Sequence, residues 1–453
     1  MRPPMTAKPT LADLAAALAS GSVSSRSLVE TCLERIADPA GEGRTTFLHV
    51  DKSAVLAQAD AMDLLRSSGA APSPYAGIPV SIKDLFDIAG QVSRAGSTVL
   101  TNRPAATQDA TSVARLRRAG FVLIGRTNMS EFAFSGLGLN PHYGTPRNPW
   151  KRAEGHIPGG SSSGAAISVT DGMAHGALGT DTGGSCRIPA AFTGLVGYKP
   201  TARRVPHAGA VPLSTSLDSI GPIARSVACC ATLDAVLAND TPPDLGDRSL
   251  GGMRFAVPKT FVFEDMDSEV AAHFERSLSS LSTAGARIEQ IDVPEFAEIP
   301  TINAKGGFSA AESYTWHRGL IESNGAAYDP RVLTRIQRGA TQSAADYIEL
   351  LAARKAFITA VEARIARFDA LLFPTTPVIP PRIAALQSDA EFFRVNGLVL
   401  RNPAVINLLD GCAISIPNHQ EGEPPTGLML ACAGGLDQQL FRCAAAAEHI
   451  VRS

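Results

Sequence analysis

The chain has 453 residues, 45% of them hydrophobic, and a net charge of −2; this suits a globular protein with a large core and excludes the basic surface of a nucleic-acid binder. Its seven cysteines, an odd number with no CxxC pair, argue against a disulfide framework and a structural zinc site and fit buried thiols in a reducing cytoplasm. The N-terminal MRPPMTAKPT has no apolar signal core and no apolar run is long enough to span a membrane, so a cytoplasmic protein without a membrane partner is expected.

The first elements are helical. Thr10 is placed to cap a helix with Leu11, Leu14 and Leu18 on one face, and Ser24 another with Leu28, Cys32, Leu33 and Ile36 inward. In YAGIPVSIKDLFDIAG (75–90), Ile78, Val80 and Ile82 alternate with Pro79, Ser81 and Lys83, the period of a strand. TSVARLRRAG reads as a helix stopped by Gly120, and FVLIG as a short strand. After the loop HIPGGSSSG come a helix in GAAISVTDGM, a strand in HGALGTD and another in LVGYKP. Such alternation predicts an α/β sheet covered on both faces. Residues 238–251 read as a surface connection, followed by a strand in MRFAVPK and a mostly helical stretch over 305–368. FDALLFPTTP, CAISIP and TGLMLACAG supply three more strands, and a last helix covers 436–451. No internal repeat is present, and one large domain is expected.

Three stretches stand out chemically. Lys83 lies at the end of an apolar strand on the face of Ser81; if buried, its ammonium is disfavoured and a neutral amine becomes available as a base. The loop PGGSSSG (158–164) opens a helix but lacks the Gly-Lys-Ser/Thr of a phosphate-binding loop, and three serines exceed what capping requires. In GTDTGGSCRIP (179–189), two glycines precede Ser185, so successive N–H groups can form a nest beside a nucleophile. The sequence around Ser185 is not G-x-S-x-G, so that nucleophile elbow is not present there. His142, His156 and His175 lie near these loops, but a serine–lysine pair solves the same problem as a Ser-His-Asp triad.

Taken in order, GIPVSIKD (77–84), TNMSEFAFSGLG (127–138), NPHYGTPRNPW (140–150), PGGSSSG and GTDTGGSCRIPAAFTGLVGYKPT (179–201) resemble the amidase signature family. The resemblance implies a mixed central β-sheet flanked by helices in a single domain over 1–453. Its parts would be an N-terminal helical part over about 1–70, a catalytic core over about 71–240, and a remainder completing sheet and pocket. It further implies a Ser–cis-Ser–Lys triad of Ser185 as nucleophile, Ser161 as bridge behind a cis peptide, and Lys83 as base. The oxyanion hole maps to the backbone of Thr182, Gly183, Gly184 and Ser185. Asp181, Arg187 and Ser162 would support these groups, and Phe134 and Leu137 would line the acyl pocket. Ser162 and Ser163 are left to support the loop or cap the helix, and Cys186 replaces an aliphatic residue.

The implied reaction is cleavage of a carboxylic amide through an acyl-enzyme, releasing ammonia or an amine, with no metal or cofactor. The expected partner is a small amide, by preference an aryl or arylalkyl amide because no cationic clamp is evident beside the site, and the expected assembly is a homodimer. The alternative is the glutamine-hydrolysing subunit of an aminoacyl-tRNA amidotransferase.

Overall fold

The computed structural model describes residues 9–246 and 249–452. Thr10 and Ser24 each close a capping box, starting helices at Leu11–Ala19 and Ser25–Ala37. In the second helix Val29, Cys32 and Leu33 take the fully buried face, while Leu28 and Ile36 are only half-buried at its edge.

Eleven strands of the described residues form one sheet: β1 (Phe47–His49), β2 (Pro79–Lys83), β3 (Val122–Thr127), β4 (Gly176–Thr180), β5 (Val196–Lys199), β6 (Ile220–Ala224), β7 (Arg254–Pro258), β8 (Arg287–Ile291), β9 (Ala370–Pro374), β10 (Cys412–Pro417) and β11 (Gly427–Cys432). Their order is β1-β3-β2-β4-β6-β5-β10-β11-β9-β7-β8. β2 runs parallel to β3 and β4, and β7 parallel to β8 and β9. The remaining pairs are antiparallel. The sheet is therefore mixed, and β5 pairing with β10 carries it across the connection near residue 240. Strands on both sides of that connection share one sheet, so it divides no core.

Every residue of β2, β4, β5, β6, β9, β10 and β11 is buried. Strands covered on both faces read as continuous apolar runs. β6 is the central strand the sequence conceals: Pro222 sits inside it opposite Leu178, and a proline within a run argues against a strand. β1 and β8 were also unannounced by pattern; both are edge strands, β1 short and β8 largely exposed.

Parallel β2 and β4 bring their carboxyl ends to the same edge. Lys83 ends one and Thr180 the other, which puts the lysine beside the segment leading to Ser185. The helix Ser163–Thr170 lies below, and the helix Asp389–Leu408 packs on the following helix, Arg187–Thr193.

Candidate active site

Lys83 has no exposed surface. Its Nζ donates to Ser161 Oγ at 2.7 Å and Thr180 Oγ1 at 2.8 Å. Burial pushes the ammonium down to about 8, although Cys186, Asp181 and Asp218 act in the opposite sense. A neutral fraction is then available near neutral pH, in contact with a hydroxyl that both donates and accepts.

The Gly160–Ser161 peptide is cis. Gly160 N–H donates to Gly136 O at 2.8 Å, and the Ser161 carbonyl accepts from Ser130 N–H at 3.0 Å. The 130–136 segment thus embraces this peptide. A Cβ on Gly160 would lie 2.5 Å from Gly138 N and 2.8 Å from Ser130 Oγ, so no larger residue fits. Phe132 and Ala133 both adopt left-handed backbone, at φ 49° and 61°, a conformation that non-glycine residues hold only where surroundings enforce it. Phe132 N–H donates to Ala95 O at 2.9 Å and Ala133 N–H to Ser130 O at 3.0 Å, and the buried Glu131 carboxylate beside them accepts from Ser97 Oγ at 2.6 Å and Asp329 N–H at 2.8 Å and meets His142 Nε2 at 2.8 Å.

Ser162 N–H reaches the Ser185 carbonyl at 3.4 Å, latching the two loops together. Its Oγ points at Thr180 O, 3.5 Å away, and the helix after it has no side-chain cap. Ser163 Oγ is buried without a partner. Ser162 therefore supports the loop, and neither serine caps the helix: its backbone start is spent on the Ser185 turn.

Asp181 organises that turn. Its carboxylate accepts from Gly184 N–H at 2.8 Å and Cys186 N–H at 3.2 Å, and pairs with the Arg187 guanidinium at 2.8 and 3.0 Å. Burial alone would raise its pKa, but Arg187, Lys199 and Asn407 hold it well below the usual carboxylate range. Both members of the pair are fully buried. Arg187 continues to Pro403 O at 3.0 Å and Asn407 Oδ1 at 2.7 Å. Gly184 has φ 123°, and a Cβ there would meet Pro403 and Ile188 at 2.6 Å. Thr182 Oγ1 donates to Asp218 at 2.5 Å. Cys186 is wholly buried in a small apolar cluster with Ala177 and Ala190.

Phe134 and Leu137 are placed differently. Leu137 is completely buried among Ile188, Phe192, Val395 and Val399. Phe134 carries the Arg335 guanidinium 4.9 Å over its ring, and the same guanidinium donates to its carbonyl. Arg335 makes no ion pair among the described residues. Burial lowers it to about 10, so it is charged at neutral pH. Arg335 is a cation that the sequence does not single out. Arg335 lies 201 residues from Phe134, among several arginines of a helical stretch, and only packing selects it. The same holds for Leu400, Pro403 and Asn407, which the helix Asp389–Leu408 brings over the glycine turn.

The three histidines do not serve the serines. His175 immediately precedes β4, at the end opposite Thr180, and burial lowers it to about 3. His156 Nδ1 lies 2.6 Å from Pro380 O, and His142 belongs to Glu131. No group of three or more metal-ligating side chains occurs among the described residues, and no helix there is long and apolar enough to cross a membrane.

The Amidase family model matches residues 27–441. A 2-amino-5-chloromuconic acid deaminase from Comamonas testosteroni is 35% identical over 98% of this chain and 96% of its own. A glutamyl-tRNA(Gln) amidotransferase subunit from Symbiobacterium thermophilum is 33% identical over 96% and 95%. Among solved structures, an amidase superposes with a TM-score of 0.88 at 30% identity, covering 98% of this chain and 100% of that one. A peptide amidase from Stenotrophomonas maltophilia gives 0.82 at 27% identity, covering 100% and 98%.

Proposed function

The chain belongs to the amidase family and is an amide-hydrolysing enzyme, and from that premise we propose that it works through an acyl-enzyme on Ser185. Neutral Lys83 withdraws the Ser185 proton through the Ser161 hydroxyl as Oγ attacks the amide carbonyl. The oxyanion is held by N–H groups of the 182–185 turn. The proton then passes back through Ser161 to the leaving nitrogen, and water releases the acid. The observation that carries this reading is the fully buried Lys83 Nζ, 2.7 Å from Ser161 Oγ, on a loop joined to the Ser185 carbonyl. A serine-reactive fluorophosphonate should label folded protein at Ser185 and not its Ser185→Ala variant; active protein that escapes labelling sinks the assignment.

Arg335 and Phe134 refine the substrate. A guanidinium that lies on an aromatic ring and has no carboxylate partner among the described residues suits an acyl group with an apolar, planar body and a carboxylate. The relative acting on a muconic acid derivative, named above, fits that polarity. Arg335→Met should lower kcat/KM about 10- to 100-fold for an amide bearing a carboxylate and far less for its neutral analogue. Equal losses on both would remove Arg335 from recognition.

The alternative reading, a glutamine-hydrolysing subunit, is supported by relatives of that kind. We favour an enzyme that needs no partner protein and assembles at most as a homodimer. Glutaminase assay, co-purification and light scattering separate the two.

A further inference from the structure

A small, largely enclosed cavity lies on the Lys83 side of the turn, bounded by the apolar Leu85, Val211, Leu213 and Ile220 and by the polar Thr180 and His207. Thr180 Oγ1 is the hydroxyl that Lys83 Nζ touches at 2.8 Å, so one side chain separates the cavity from the base. Thr182, whose N–H belongs to the proposed oxyanion hole, also borders it. His207 Nε2 is buried and has no partner in the protein. A buried nitrogen left unpaired is a cost unless a ligand or water pairs it. Asp218, the other polar wall, is already committed to Thr182 Oγ1, Leu213 N–H and Ser214 N–H. The cavity measures about 40 Å³. A water-sized molecule needs roughly 10–15 Å³ of such space, so the chamber takes a few such molecules and excludes an aniline or an amino acid.

Resting on the Ser185–Ser161–Lys83 reading, we propose that this cavity receives the leaving group, that His207 Nε2 accepts an N–H from it, and that the enzyme is consequently specific for primary carboxamides. In the first half-reaction the Ser185 O–C bond forms and the C–N bond breaks. The Ser185 hydroxyl proton, carried by Lys83 and Ser161, joins the departing NH2 and gives NH3. In the second, water adds to the acyl carbon and returns a proton to Ser185, giving the acid. Ser161 delivers the proton from the Lys83 side, and the leaving nitrogen departs past Thr180 into the cavity. An N-alkyl or N-aryl nitrogen would have to drive its substituent against Leu213 and Ile220.

The test runs the first half-reaction backwards. p-Nitrophenyl benzoate loads the enzyme, and the benzoyl-enzyme partitions between water, ammonia and methylamine at equal free-base concentration, with Ser185→Ala giving the uncatalysed background. Benzamide should form about 100-fold faster than N-methylbenzamide, the range available to a site that discriminates by one methyl group. Leu213→Ala, or Val211→Ala if that variant does not fold, should narrow the ratio about tenfold by enlarging the chamber. A ratio near one in the wild type overturns the chamber while leaving the acyl-enzyme standing. Active, folded protein that a fluorophosphonate fails to label at Ser185 overturns the acyl-enzyme and the chamber with it.

Discussion

Two lysines in this molecule have nearly the same environment and opposite prospects. Lys83 ends β2 and Lys199 ends β5; both are buried, and burial pushes both down to about 8, with Arg187 adding repulsion at Lys199. They differ in what they touch. Lys83 meets two hydroxyls, Ser161 and Thr180. Lys199 meets two carbonyls, Pro200 O at 2.9 Å and Gly411 O at 2.6 Å. A hydroxyl can pass a proton on, whereas a carbonyl only accepts. Desolvation thus makes a base available at both places, and only Lys83 has a neighbour to receive a proton from. Lys199 is a tie between β5 and the turn that precedes β10.

Exchange of each lysine tests that contrast. Lys83→Met should cut kcat/KM by roughly 10³- to 10⁴-fold, the contribution of a positioned general base, with little loss of thermal stability because a buried charge is removed; a Lys83→Met enzyme with near-normal turnover breaks the comparison. Arg187→Met should cost about 3–5 kcal/mol in a urea titration, since it strands the fully buried Asp181 carboxylate. Lys199→Met should do the reverse of Lys83→Met: about 2–3 kcal/mol of stability is lost with two carbonyls left unpaired, while turnover stays within about tenfold.

The pH dependence sharpens it further. Since only neutral Lys83 is a base, kcat/KM should rise with pH to a plateau whose limb lies near about 8. A limb near the ordinary lysine value of 10.5 would mean that Lys83 is not desolvated. Stability carries the smaller signal. Unfolded lysines keep their protons to about 10.5, while folded Lys83 and Lys199 release them near about 8. Between those values the unfolded state binds more protons, so stability rises with pH across that window. Chemical denaturation at a series of pH values should show the rise, reduced in Lys199→Met.

Much of the fold could be read from local pattern. Thr10 and Ser24 announce their helices because a cap and an apolar stripe are contiguous in sequence. β2, β4, β5 and the strands near the C-terminus are apolar runs between turn residues. β6 escaped because Pro222 contradicts local propensity, and its neighbours β4 and β5 override that preference. The candidate triad was legible for a different reason: Lys83, Ser161 and Ser185 lie in short, ordered motifs, so a resemblance could locate them. Phe134 and Leu137 were named by the same route; both are buried, and Phe134 also carries a guanidinium on its ring.

The sequence by itself determined most of the element types, the α/β class, the family and the three polar residues to watch, because these depend on spacing along the chain. The tertiary structure decided which groups surround them. Parallel pairing of β2 with β4 brings Lys83 to Thr180 and the serine loops. The helix Asp389–Leu408 lays Pro403 over Gly184 and hands Asn407 to Arg187, and a helical arginine reaches Phe134 across 201 residues. Burial, charge pairing and cavity size arise from contacts between distant segments, and no local pattern encodes them.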